Sequence, residues 1–143
     1  MFLLDTVVFS ELRKPRRQRN HNVVHWLEKV SSQDLFVSVV TIGEIERGIE
    51  RQRQLDPSFA ERLAVWVDTV LRTYEGRILP VDVAVARRWG RLSQQIGNKG
   101  LDLAVAATAL EHGLTVVTRN VSDFEPTGVS VLDPFSSPPR RKP

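Results

Sequence analysis

The chain contains no cysteine. That removes disulfides and thiolate metal sites, and it fits a reducing compartment. No apolar run approaches the ~18 residues of a membrane span. The opening "MFLLDTVVF" has no basic stretch ahead of its apolar part and is interrupted by Asp5, so it reads poorly as a signal peptide. There is no P-loop and no Gly-rich dinucleotide fingerprint. Ser10, Ser38 and Ser93 lack the strand-to-helix elbow of a nucleophilic serine. The sequence also has no internal repeat, no linker and no hairpin signal between its strand candidates. A cytoplasmic, non-membrane protein is expected.

What remains is an ordinary globular composition, with 41% hydrophobic and 26% charged residues in 143, enough for one domain with a real core. The net charge is +3, and much of the excess lies in "RKPRRQR" (13 to 19) and "PPRRKP" (138 to 143). Such patches attract phosphates, although taken alone a solvated loop and a disordered, solubilising tail account for them better. The expected division is a domain over residues 1–135 and a basic, Pro-rich disordered tail over 136–143.

Apolar patterning alternates between strand and helix. "FLL" (2 to 4), "LFVSVV" (35 to 40), "RILPV" (77 to 81), "LTVVT" (114 to 118) and "VSVL" (129 to 132) read as strands. "TVVFSELRK" (6 to 14) reads as a short helix stopped by Pro15, and "NVVHWLEKV" (22 to 30) as another. A helix is expected from Thr41, with Ile42, Ile45 and Ile49 on one side. Asp56-Pro57 opens a helix whose stripe runs from Phe59 to Leu71, Asp82 caps the next, and residues 102–113 form a buried one ending at Gly113. This alternation argues a parallel sheet covered by helices, an α/β fold.

Four acids fall on one edge of such a sheet. Asp5 ends the first strand, Glu44 lies in the turn of helix after the second, Asp102 starts the buried helix, and Asp123 follows the fourth strand. Singly, three have everyday explanations. Thr41 to Glu44 has capping-box spacing, Asp102 suits a helix N-terminus, and Asp123 suits a turn. Together, four carboxylates at one edge repel each other and raise their pKa values unless a cation is shared. Oxygen donors without imidazole or thiolate point to Mg2+ or Mn2+ and to metal-dependent phosphodiester hydrolysis. His21 and His25 stand four apart with no glutamate motif between them, and read as exposed helix residues. A phosphatase forming an aspartyl-phosphate at Asp5 would want a second acid at position 7, which is Val7.

"LLDTVVFSELRKP" (3 to 15), "FVSVVTIGEIERGI" (36 to 49), "DLAVAATALEHGLTVVTRNVSDF" (102 to 124) and "GVSVLDPF" (128 to 135) resemble the PIN-domain ribonucleases, in the branch of VapC- and FitB-like toxins of type II toxin–antitoxin modules. The resemblance implies a five-stranded parallel sheet flanked by helices and a metal-dependent endoribonuclease with Asp5, Glu44, Asp102 and Asp123 as its acidic quartet. It also implies supporting roles for Thr6, Thr118 and Asn120, the last helping to hold Asp123. RNA is the implied substrate and a homodimer the implied assembly. The implied partner is a cognate antitoxin protein, through which operator DNA is bound. The loop arginines Arg16, Arg17 and Arg19 are candidate RNA contacts, and the apolar stripes on the helices candidate dimer or antitoxin contacts. One position departs from the pattern: the family's Asp-Thr-Asn (or Ser) is here Asp5-Thr6-Val7, which implies weakened or altered activity. The alternative reading is therefore a PIN-fold binding module of little catalytic power, acting through the antitoxin or RNA.

Overall fold

A computed structural model describes residues 1–136. The expected tail lies, apart from Ser136, outside the described residues. Five strands form one sheet: β1 (Phe2–Leu4), β2 (Leu35–Ser38), β3 (Ile78–Leu79), β4 (Thr115–Val117) and β5 (Val131–Leu132). All neighbouring pairs are parallel, in the order β3-β2-β1-β4-β5. The helices are α1 (Thr6–Glu11), α2 (His21–Lys29), α3 (Val39–Leu55), α4 (Pro57–Thr73), α5 (Val83–Ile96), α6 (Leu101–His112) and α7 (Val121–Phe124).

The strands are two to four residues long, with β1, β2 and β4 mostly buried and β3 and β5 partly so. Side chains alternate along β1, so Leu4 packs with Val8, Phe9 and Val117 under α1, α3 and α4, while Leu3 packs with Val116, Phe124 and the α6 alanines on the other face. Phe9 and Phe124, both fully buried, anchor the two layers; truncating either to alanine would cost about 3–5 kcal/mol. Ile45, Ile49, Val67 and Val70 belong to the first of these cores, so the stripes on α3 and α4 are largely consumed inside the monomer. Two edges of the stripe, Val65 and Leu71, stay exposed.

Several helix starts follow the local sequence. Asp56 accepts from Phe59 N at 3.1 Å and Asp82 from Val85 N at 3.0 Å, each satisfying an orphan amide of the first turn. Helix α6 is buried along most of its length and stops at left-handed Gly113, φ 65°. The second strand is the exception. Instead of running to residue 40 it ends at Ser38, whose buried hydroxyl accepts from Val40 N at 3.0 Å. The helix therefore starts at Val39, and Thr41 with Glu44 is not its capping box. Val39 and Val40 look like strand residues, yet a good N-cap just before them overrides that preference. The expected turn after Asn120 is instead the single helical turn α7.

Candidate active site

The strand order reverses direction of growth at β1: the chain moves outward to β2 and β3, then returns to the other side of β1 for β4 and β5. Ligands in open parallel sheets bind outside the strand carboxyl ends at this switch point. Asp5 and Thr118 are the residues that immediately follow the two strands meeting there, paired through Leu4 and Val117. Asp5 N still donates to Val117 O at 3.0 Å, and the Asp5 carbonyl receives the first amides of α1 from Val8 and Phe9. The backbone is thus fixed on both sides of the carboxylate.

Asp5 is only 6% exposed and Thr118 not at all. Thr118 Oγ1 donates to Asp5 Oδ2 at 2.8 Å and accepts from Asn120 N at 3.0 Å, so one hydroxyl ties the carboxylate to the loop after β4. Burial raises the Asp5 pKa, the Thr118 bond and the Thr6 backbone amide oppose that rise, and Asp123 adds to it.

Glu44 comes from the second turn of α3. Thr6 Oγ1 donates to Glu44 Oε1 at 2.9 Å and lies 3.4 Å from Thr41 Oγ1. Thr41 is fully buried and sits one turn before Glu44 on the same face. Its place beside the carboxylates was not foreseen, because Thr-x-x-Glu reads as a cap. The i, i+3 spacing that placed the pair on one helix face was the available signal.

Asp102 lies in the first turn of α6 and Asp123 in α7. Asp102 is the electrostatic hub: desolvation, then the charges of Asp5, Asp123 and Glu44, push its carboxyl up to about 6. The charges of the other three acids therefore all reach Asp102. Asp102 and Asp123 also share an open cavity of about 160 Å³ with Lys99 and Ser122, two residues with no motif to mark them. Asn120 does not reach Asp123 through its side chain; its carbonyl accepts from Asp123 N at 3.1 Å, as the first backbone bond of α7. Val7 is half-buried and packs against the first hydrophobic core.

As they stand, no three His, Asp or Glu side chains among the described residues converge closely enough to enclose an ion. Like charges hold carboxylates apart, and the Thr6 hydroxyl tethers Glu44 on one side. The chemistry of the donor set nevertheless fits a hard divalent cation. It offers carboxylate oxygens, with the hydroxyls of Thr6 and Thr118 orienting two of them, and no soft donor.

The basic loop is less open than its sequence suggests. Arg16 pairs with Glu28. Arg19 is turned back onto the carbonyls of Lys14 and Leu12 at 2.9 and 2.8 Å, where it stabilises the link between α1 and α2. Arg17 alone of the three is exposed without such a partner among the described residues. Arg119, just past Thr118, lies 3.9 Å over the Phe135 ring, and Asn22 Nδ2 donates to Phe135 O at 2.7 Å, pinning the end of the described chain beside β4. His21 and His25 are exposed on α2. No helix of the described residues is long and apolar enough to cross a membrane.

The family model for the PIN domain matches residues 2–125. Toxin FitB of Neisseria gonorrhoeae is 34% identical over 142 residues, spanning 94% of this chain and 99% of that one. VapC ribonuclease Y4jK of Sinorhizobium fredii is 32% identical, spanning 94% and 98%. Among solved structures, the FitAcB complex of Neisseria gonorrhoeae superimposes with a TM-score of 0.75 at 33% identity, covering 94% of this chain and 99% of that chain. A structure of FitAB bound to an IR36 DNA fragment gives 0.77 at 31% identity, covering 99% and 100%.

Proposed function

The chain belongs to the PIN domain family, and from that premise we propose that it is a metal-dependent endoribonuclease acting as the toxin of a toxin–antitoxin pair. The observation that supports the reading best is Asp102, whose carboxyl is raised by burial and then by the charges of Asp5, Asp123 and Glu44, beside a sheet whose switch point ends in Asp5 and Thr118. Relatives named as a toxin and as a ribonuclease, matched over nearly their whole length, support it.

Asp5, Glu44, Asp102 and Asp123 would hold Mg2+ or Mn2+. Such a cation, when bound, supplies charge stabilisation at a phosphodiester and a more acidic water. The chain's own contribution is orientation. Thr118 fixes Asp5 from β4, Thr6 fixes Glu44 from α1, and the Asn120 carbonyl starts the turn that presents Asp123. A cation would relieve the charge that bears on Asp102, so affinity for a divalent ion would be coupled to the placement of Asp5 after β1, Glu44 on α3, Asp102 on α6 and Asp123 on α7.

A toxin–antitoxin complex from Klebsiella pneumoniae is among the solved structures similar to this chain, and by analogy the protein acts with a cognate antitoxin, reaches operator DNA only through it, forms a homodimer and works in the cytoplasm. The test is cleavage of a cellular RNA pool by antitoxin-free protein in Mg2+, in Mn2+ and in EDTA, beside Asp5→Asn. Discrete metal-dependent cuts that the variant loses support the nuclease. Folded protein that cuts nothing in either metal would leave the PIN-fold binding module instead.

A further inference from the structure

We propose that the open groove running from Glu44 between α1, α3 and α4 is a subsite for the RNA nucleotide next to the scissile phosphate, with Arg47 and Arg51 taking phosphate and the Arg13–Phe59 pair taking a base. The inference rests on the ribonuclease reading and adds to it where flanking RNA lies.

Two cavities make the groove. One, about 280 Å³, is lined by Glu44, Arg47, Gly48 and Arg51. The other, about 270 Å³, shares Glu44, Gly48 and Arg51 and adds Arg13 from the turn after α1 with Phe59 and Trp66 from α4. Their shared lining makes them one trough that begins at a carboxylate of the candidate site. From Glu44, steps of three and then four residues reach Arg47 and Arg51, about 4.5 and 10.5 Å along the helix axis, and both remain on the Glu44 face. A strand of phosphates leaving the carboxylates meets the two guanidiniums in turn.

Arg13, Arg47 and Arg51 have no carboxylate partner among the described residues, whereas Arg16, Arg53 and Arg88 elsewhere do. The Arg13 guanidinium lies 5.2 Å from the Phe59 ring centre, presenting a flat cationic surface. Unpaired bases stack on guanidinium planes and aromatic rings alike. Gly48 lines both cavities from inside α3. A Cβ there would meet nothing within 4 Å, as at the other glycines, so a large side chain at this position would extend into the groove without a clash at its base.

The test uses an Asp5→Asn parent, which leaves RNA uncut, and a fluorescent 12-nucleotide single-stranded RNA of mixed sequence, read by anisotropy across a salt series with Mg2+. Arg47→Gln with Arg51→Gln is expected to raise Kd at least tenfold at low salt and to flatten the log–log salt slope by about 1.4, at about 0.7 per phosphate contact on a single strand. Gly48→Leu is expected to raise Kd about tenfold with no fall in Tm. Unchanged Kd and slope in both variants, with a parent that binds, would overturn the subsite and leave the nuclease standing. A parent that binds no RNA removes the ribonuclease reading and the subsite together. An acidic decapeptide is the competing probe: if Gly48→Leu abolishes its binding and leaves RNA binding intact, the groove belongs to a protein segment and the proposal fails.

Discussion

Thr118 Oγ1 holds Asp5 Oδ2 at 2.8 Å across a sequence separation of 113 residues. It is the side-chain bond that closes the switch point between β1 and β4, and both partners are buried. Thr118→Val keeps the shape and removes the hydroxyl. The buried carboxylate then loses a donor and Asn120 N loses its acceptor, a cost of about 1–3 kcal/mol. We expect a lower denaturation midpoint and RNA cleavage reduced by at least tenfold, with Thr118→Ser retaining most of both. Full activity in the valine variant would detach this bond from function.

Asp102 makes the metal-free protein sensitive to pH. Its carboxyl titrates at about 6 in the fold against 3.8 in the free side chain. Between those values the folded chain keeps a proton that the unfolded chain has lost, so stability falls as pH rises through the window and levels off above it. Asp102→Asn is expected to raise Tm in EDTA at pH 8 and to change it little at pH 4. An Asp102→Asn Tm in EDTA no higher than the parent's at pH 8 would contradict the charge clustering.

Relief of the same repulsion gives a readout that needs no substrate. Mg2+ or Mn2+ at a hundredfold excess over Kd would stabilise the fold by about 2.7 kcal/mol, several degrees in Tm. Chelation reverses the shift, and Asp5→Asn or Asp123→Asn shrinks it. Thermal shifts in Ca2+, Mg2+ and Mn2+ rank the ions directly.

Val7→Asn tests the departure from the family pattern. Val7 packs at the fringe of the first core, so asparagine is expected to lower stability modestly while raising the cleavage rate. Equal rates for the two proteins would make the valine neutral.

The loop arginines separate by partner. Arg17→Glu is expected to weaken RNA binding and flatten its salt dependence. Arg19→Ala is expected to act mainly on stability, since its guanidinium holds two backbone carbonyls. Melting curves measured beside RNA titrations distinguish the two effects.

The parallel sheet was legible because apolar strands and amphipathic helices alternate with few ambiguous runs, and Asp56-Pro57, Asp82 and Gly113 mark helix ends by local chemistry. That Asp5, Glu44 and Asp123 fall toward one edge was legible because β1, β2 and β4 end there, whereas Asp102 begins a helix that follows another helix, and its place beside them is set by packing. What could not be read was partnership. Arg16 and Arg19 looked alike until one met Glu28 and the other its own backbone. Thr41 looked like a cap until Ser38 took that role three residues earlier. Strand order, and with it the choice of Thr118 as the neighbour of Asp5, depends on contacts distant in sequence that no window of residues contains.

That distance also sets when the site comes into being. A ribosome that has made the chain as far as Gly100 has produced β1, β2, β3, Asp5 and Glu44, but not the helix bearing Asp102 or the strand that docks against β1 and brings Asp123 with it. The sheet then has three of its five strands, and the edge that would carry all four acids does not exist. Because the central first strand pairs with a fourth strand made more than a hundred residues later, the four carboxylates can share one edge only after residue 123 has been added.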